Sequence, residues 1–348
     1  VSMTIKEIAR ITGVSVATVS NIINHKGRVG EDTRQRVEKA IREYHYTPNS
    51  VAKNLKTKTS RSIGVIAEDM TVFVMPEIID GITECCEEND YQILLVNLRL
   101  YKKYSDTYYK TNHHREQVKA EIQKLISMQV DGIIYVAAHE RINDVIPRNL
   151  SVPVVMAYSF SNRSEVPSVV VNDQGGAEKV TEYLLSKGHE KIGVIAGKKE
   201  SFHTLARLEG YQKALLRNHI FYDPDYVVYG DWDRQSGYDA MNHLMSNKPT
   251  AIFAMNDVMA GGVYDWLKEH DMVPGKDVAV VGYDDQVMSA YENPPLTTMG
   301  LPLRDIGYSA GEQMIGMLSD EGIHVGSGQI DVDCKLCERE SVAELSKI

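Results

Sequence analysis

The sequence predicts a small all-α head joined to a larger α/β body of two doubly wound lobes. Three observations predict it. Residues 1–60 carry short apolar runs at helical spacing, and from Arg61 onward continuous Val/Ile runs alternate with longer helical stretches. Charge divides at the same place: the first 60 residues hold 11 Lys and Arg against 5 Asp and Glu, a net +6, while the remainder carries −16. Clustered cations neutralise phosphates and an acidic surface repels them, so the head is the candidate nucleic-acid contact despite a net charge of −10.

A chain of 348 residues is long enough for a module of about 60 residues and a two-lobed body. The hydrophobic share of 43% and charged share of 25% are ordinary for globular protein. No apolar run approaches the roughly 18 residues of a membrane span, and Val1-Ser2-Met3-Thr4-Ile5-Lys6 has no secretory apolar region. A cytoplasmic protein without membrane contact is expected.

In the head, Thr4 followed by Glu7 reads as a capping box, and Ile5, Ile8, Ala9 and Thr12 recur on one helical face. The first helix is expected at about 5–12. Gly13 ends it, Val14 is an apolar plug, and Ser15 caps a second helix at about 16–24 with Val19, Ile22 and Ile23 inward. The loop through Arg28 leads to a third helix, where Glu31 and Asp32 suit the positive end and Val37, Ala40, Ile41 and Tyr44 face inward. Two helices across a tight Gly turn, closed by a third, form a helix-turn-helix, which places its second helix in the major groove. The outward face of that helix is Val16, Ala17, Ser20, Asn21 and Asn24. These short side chains suit close approach to base edges, whereas a solvated face of an ordinary three-helix bundle would carry Lys and Glu.

Thr47 and Pro48 open a further helix of about nine residues, too short to hold alone in water. Lys56 to Ser60 reads as a linker. In the body, strands are expected at 63–67, 93–98, 132–137, 152–157, 168–171, 192–196, 251–255 and 278–283. Such runs with crossover helices indicate parallel sheets, and about 280 residues of them imply two lobes with a cleft between.

Tests for catalysis and metal binding fail on spacing. No dinucleotide, phosphate-loop, nucleophile-elbow or zinc-helix motif is present. Cys85 and Cys86 fall on an apolar helical face with Ile78, Ile79 and Ile82; Cys334 and Leu336 alternate as in a strand, so Cys334-x-x-Cys337 reads as packing. His113-His114 reads as solvated surface. No metal, no cofactor and no enzymatic activity are expected.

Thr4-Ile5-Lys6-Glu7-Ile8-Ala9, Gly13-Val14-Ser15-Val16-Ala17-Thr18-Val19-Ser20 and Tyr46-Thr47-Pro48-Asn49-Ser50-Val51-Ala52 resemble the signature of the LacI/GalR repressor family. The similarity continues through Val130-Asp131-Gly132, Lys187-Gly188-His189, Arg207-Leu208-Glu209-Gly210-Tyr211, Asn256-Asp257, Gly282-Tyr283-Asp284-Asp285 and Arg339-Glu340-Ser341, over essentially the whole chain. The resemblance implies a transcriptional repressor with an all-α helix-turn-helix head and a two-lobed, periplasmic-binding-protein-like sensor of doubly wound parallel sheets. It also implies a homodimer on a pseudo-palindromic double-stranded operator, controlled by a small-molecule effector, a sugar or sugar derivative.

On that resemblance Val16, Ala17 and Asn21 face bases. Thr4, Ser15, Thr18, Ser20 and Asn24 are phosphate or supporting positions, and Arg28, Asn49, Ala52 and Lys53 join the DNA contact. Leu55 is the hinge-helix wedge for the central minor groove. The effector residues it implies are Arg207, which forks onto hydroxyls, Asn256 and Asp284 as polar anchors, Trp232 as an aromatic platform, and Tyr158. Bland alternatives stand beside two of these: Trp232 as core filler and Asp284 as a helix cap. The domains implied are 1–46, a hinge helix and linker at 47–61, and an effector domain at 62–348. Its N-lobe takes about 62–170 plus 300–330 and its C-lobe about 171–299 plus 331–348, with crossings near Val171, Met299 and Ile330. Residues 101–114 form a longer, tyrosine-rich loop than the family's usual one, either overhanging the cleft or mobile at the surface.

A sugar-binding transport protein would explain the body alone, and a doubly wound enzyme neither the head nor the missing motifs. The family commonly has Arg at the position of Asn21. Arg suits guanine O6 and N7, whereas Asn suits adenine N6 and N7. Binding-site selection is therefore expected to return A·T at the step facing Asn21; an invariant G·C there would overturn this pairing.

Overall fold

The structure is a computed structural model that describes residues 3–23, 26–46, 59–105, 108, 114–319 and 328–345. It separates into two compact units, residues 1–60 and 61–348, each with its own core.

The head consists of α1 (Ile5–Thr12), α2 (Val16–Ile23) and α3 (Glu31–Glu43). Its boundaries follow from local chemistry. Glu7 N–H donates to Thr4 Oγ1 at 3.3 Å while Thr4 N–H donates to Glu7 Oε2 at 2.7 Å, completing the capping box. Gly13 ends α1 in the left-handed region at φ 65°, and Thr18 N–H donates to Ser15 Oγ at 3.1 Å. Gly30 precedes α3 with no side-chain cap. The core is Ile8, Ala9, Val19, Ile22, Val37 and Ala40. With so few buried side chains, each worth about 1.5–3 kcal/mol if large, caps worth about 1 kcal/mol matter. Tyr44, expected inward, is exposed: α3 stops at Glu43, and the chain leaves the helical period before its ring can reach the core. Asn24, Asn49, Ala52, Lys53 and Leu55, and the expected hinge helix, lie outside the described residues.

In chain order the body begins β1 (Ser62–Ala67), α4 (Met75–Glu88), β2 (Gln92–Asn97), α5 (Leu100–Tyr104), α6 (Arg115–Ser127) and β3 (Gly132–Val136). It continues with β4 (Ile142–Asn143), β5 (Val154–Ala157), β6 (Phe160–Ser161), β7 (Ser168–Val171), α7 (Asp173–Ser186), β8 (Ile192–Ala196) and α8 (Phe202–Arg217). Then come β9 (Val227–Tyr229), α9 (Arg234–Leu244), β10 (Ala251–Ala254), α10 (Asp257–Glu269) and β11 (Ala279–Asp284). The last elements are β12 (Thr297–Gly300), α11 (Leu303–Leu318), β13 (Gln329–Val332) and β14 (Lys335–Cys337).

Two six-stranded sheets result. The N-lobe sheet is ordered β13-β7-β5-β3-β1-β2 and is wholly parallel; the C-lobe sheet is ordered β14-β12-β11-β10-β8-β9, with only β14 antiparallel. β1, β3, β5 and β8 bury nearly every side chain, so they read as unbroken Val/Ile runs. The chain passes between sheets after Val171, Gly300 and Val332. The second and third passages fall one and two residues beyond the expected Met299 and Ile330, because Gly300 still pairs with Asp284 and Val332 with Val171. β4, β6 and β9 span only two or three residues, and β12 and β13 carry no continuous Val/Ile run to announce them.

The four cysteines are free thiols. Burial pushes Cys85 up to about 12 and Cys86 up to about 11, as for small apolar side chains. Cys334 lies just before β14 rather than within it, with its Sγ 3.3 Å from the Tyr283 hydroxyl. His114, expected on the surface, is buried edge-on against Tyr108. Among the described residues no helix is long and apolar enough to cross a membrane.

In the N-lobe α4 and α11 approach backbone to backbone. A Cβ on Gly307 would lie 1.9 Å from Ile78 O, and one on Gly81 2.0 Å from Arg304 O. Gly307→Ala is therefore expected to destabilise the body by about 1–3 kcal/mol, read as a lower urea midpoint at unchanged slope. An unchanged midpoint would show that the helices can separate freely.

Candidate functional site

Both sheets reverse their strand order beside their first strand, β1 in one lobe and β8 in the other, and the carboxyl ends of their strands face a common cleft. The cleft encloses about 690 Å³, in the range of a small-molecule pocket. Its lining sits on residues immediately past strand ends: His139, Glu140 and Arg141 after β3, Tyr158 after β5, Lys198 after β8, Asn256 after β10, and Asp284 closing β11.

In the C-lobe, Arg207 projects from α8 and is 2% exposed. Its Nε donates to Asp173 Oδ1 at 2.7 Å, Nη1 donates to Met255 O and lies 3.7 Å from Asp284 Oδ1, and the guanidinium carbon is 3.7 Å from the Tyr283 ring centre. Nη2 makes no hydrogen bond to a described residue. Burial alone would raise Asp173, but Arg207 and His203 hold its carboxyl at about 2. Asp284 is different: burial dominates over Arg207 and pushes it up to about 6. Asp284 has φ 106° and caps no helix; its carboxylate accepts from Gln286 Nε2 at 3.2 Å.

Asn256 N-caps α10, with Oδ1 accepting from Met259 N–H at 2.8 Å, while Nδ2 donates to Trp232 O at 3.0 Å. It thereby holds Trp232, at φ 70°, against Gly197, where a Cβ would meet the indole at 1.9 Å. Trp232 is half-buried, packing against the body core while lining the cleft. Tyr158, at φ 56°, is buried with its ring 5.5 Å from that of His203.

The N-lobe wall rests on a buried carboxylate, Glu68. It accepts from Tyr135 Oη at 2.6 Å, Ala138 N–H at 2.8 Å and Arg141 Nη1 at 3.2 Å, with closer bonds from Arg141 Nη2 and Tyr108 Oη. Burial would raise its pKa, yet Arg141 and the two phenols outweigh this and hold it at about 2. Within 101–114, Tyr108 is therefore anchored in the core, while Tyr101 lines the cleft and pairs with His139 Nε2 at 2.8 Å. Of the described part of that segment, Tyr101 lines the cleft, residues 102–105 are exposed, and Tyr108 and His114 are buried.

In the head, Thr4, Ser15, Val16, Ala17, Asn21 and Arg28 are exposed, and Thr18 and Ser20 half-buried. Val16, Ala17 and Asn21 share the outward face of α2 opposite the buried Val19 and Ile22.

Residues 4–49 match the lacI family of bacterial regulatory proteins, and residues 181–342 match the periplasmic binding protein-like domain. The HTH-type transcriptional repressor CytR of Escherichia coli K12 is 34% identical over 346 residues, covering 98% of this chain and 97% of that protein. The chain belongs to the LacI family. The HTH-type transcriptional repressor PurR of Vibrio atlanticus is 31% identical over 323 residues, 91% of this chain and 92% of that protein. Among solved structures, a lac repressor dimer bound to operator and the anti-inducer ONPF matches with TM-score 0.77 and 27% identity over 99% of this chain and 100% of that one. The CelR–cellobiose complex matches with TM-score 0.64 and 27% identity over 97% and 99%. This LacI-family protein is a DNA-binding transcriptional repressor and not an enzyme.

Sequence reading singled out Arg207, Trp232, Asn256, Asp284 and Tyr158, which the fold brings around one cavity. It missed Glu68, Glu140, Arg141, Asp173 and His203. The available signal was position: Glu68 directly follows β1, and Asp173 lies two residues past β7.

Removing the partner of Glu68 strands a buried charge. Arg141→Met is expected to cost about 3–5 kcal/mol near neutral pH. Glu68 contributes stability above its ordinary 4.5 that is lost as pH falls toward about 2, so the gap to wild type should narrow over that window. Urea denaturation at several pH values measures it; a gap independent of pH would remove Glu68 as the cause.

Proposed function

We propose that this repressor acts as a homodimer, each head reading one half-site of a pseudo-palindromic operator, with a carbohydrate effector in the interlobe cleft setting its DNA affinity. The reading of the head rests on the outward face of α2. Val16, Ala17 and Asn21 are short enough for a major groove to admit the helix, and Thr4, Ser15, Thr18, Ser20 and Arg28 surround them as phosphate or supporting contacts. Asn24, Asn49, Ala52, Lys53 and Leu55 complete the proposed DNA surface. The lac repressor structure that resembles this chain is a dimer bound to operator, which supports the same assembly here.

The observation that carries the effector reading is the pairing of Arg207 with Trp232 across one cavity. The guanidinium is fixed on two sides, leaving Nη2 to donate to a hydroxyl, and Asp284 stands 3.7 Å from it as an acceptor. Trp232 offers an indole face for the C–H face of a sugar ring, Tyr158 from the N-lobe and Asn256 from the C-lobe line the same cavity, and CelR was captured with cellobiose. An effector touching both lobes changes their relative angle, and that rotation is the route to the DNA-binding surface.

Thermal-shift screening of sugars and sugar phosphates is expected to find a ligand that raises the melting temperature of wild type. Trp232→Ala should weaken it at least about tenfold, or about 1.4 kcal/mol. In a gel shift with selected operator, the same ligand should change affinity, and two chains should bind per duplex. One chain per duplex would overturn the dimer, and a carbohydrate bound equally by Trp232→Ala would overturn the site.

A further inference from the structure

One buried cluster at the seam of the lobes is left unexplained by a sugar site. Glu140 follows β3 in the N-lobe, Asp173 opens α7 just past the first interlobe passage, and His203 is the second residue of α8 in the C-lobe. One donor atom from each lies within 4.8 Å of the others, and their side chains are only 3%, 2% and 11% exposed.

Each carboxylate is oriented by a donor on one oxygen and presents the other to His203. Val171 N–H donates to Glu140 Oε1 at 2.7 Å, and Arg207 Nε donates to Asp173 Oδ1 at 2.7 Å. The opposite oxygens face His203 Nδ1: Asp173 Oδ2 at 2.6 Å and Glu140 Oε2 at 3.8 Å. Glu140 Oε2 accepts no hydrogen bond from a described residue, although its side chain is nearly sealed from solvent. Outer-shell donors that fix ligating carboxylates in this way are the usual surroundings of a metal.

Zinc bonds of about 2.0–2.2 Å separate neighbouring donor atoms by about 3.0–3.5 Å. The two separations from His203 Nδ1, 2.6 and 3.8 Å, bracket that value, and all three donor atoms lie within 4.8 Å of one another. We propose that Glu140, Asp173 and His203 bind one divalent transition-metal ion of the zinc class, linking the two lobes and leaving an open coordination position toward the cleft. Binding displaces the proton between His203 and Asp173.

The test uses full-length protein stripped with a chelator, with zinc alone as the probe, so its outcome is independent of any sugar screen. Titration against a chromophoric competitor should give one tight zinc per chain. Glu140→Gln, an isosteric change, and His203→Ala should each weaken it by about tenfold or more and abolish the zinc-induced rise in melting temperature. Cobalt in place of zinc should show visible bands without a thiolate charge-transfer band. No uptake, equal affinity in a folded Glu140→Gln protein, or a thiolate band assigning the ion to cysteine would each overturn the proposal.

Discussion

The cleft depends on the buried guanidinium of Arg207. It ties α8 to the first residue of α7 through Asp173 and to the end of β10 through Met255 O, while lying over the Tyr283 ring of β11. A charge so deep is tolerable only with partners on several sides. Asp173 and the Met255 carbonyl meet that requirement and also decide where the remaining nitrogen can point. Arg207 therefore acts as a template: it fixes three elements of the C-lobe relative to one another and presents one donor in a set direction.

The N-lobe solves the same problem with the opposite sign. There the buried group is the Glu68 carboxylate, and the cation that balances it, Arg141, is the one that borders the cavity. Tyr108, Tyr135 and the Ala138 N–H satisfy the remaining lone pairs. Tyr108 comes from the long segment after β2, so that segment is fastened by a phenol in the core, and its neighbour Tyr101 reaches the cleft beside His139. Such pairs add little net stability over an apolar core, but they make any other packing of these strand ends expensive.

The head is built from short-range chemistry. Thr4 and Glu7, Gly13, and Ser15 and Thr18 fix the ends of α1 and the start of α2 within a few residues of themselves. Val19 and Ile22 point to the small core, and that commitment turns Val16, Ala17 and Asn21 outward. The same face is apolar at Val16, which is 41% exposed.

Neighbours along the chain set the three head helices, eight of the body strands, and the family motifs around Arg207, Asn256 and Asp284. Caps and apolar periods act over three or four residues, so one strand of text contains them. Tyr44 marks the limit of that reasoning, since a period says nothing about where its helix stops. Packing in three dimensions brings Glu68 to Arg141 across 73 positions, buries His114, and draws Glu140, Asp173 and His203 together from both lobes. Those meetings arise from parallel crossovers that set strand ends side by side, and sequence spacing holds no record of distances created by sheet order.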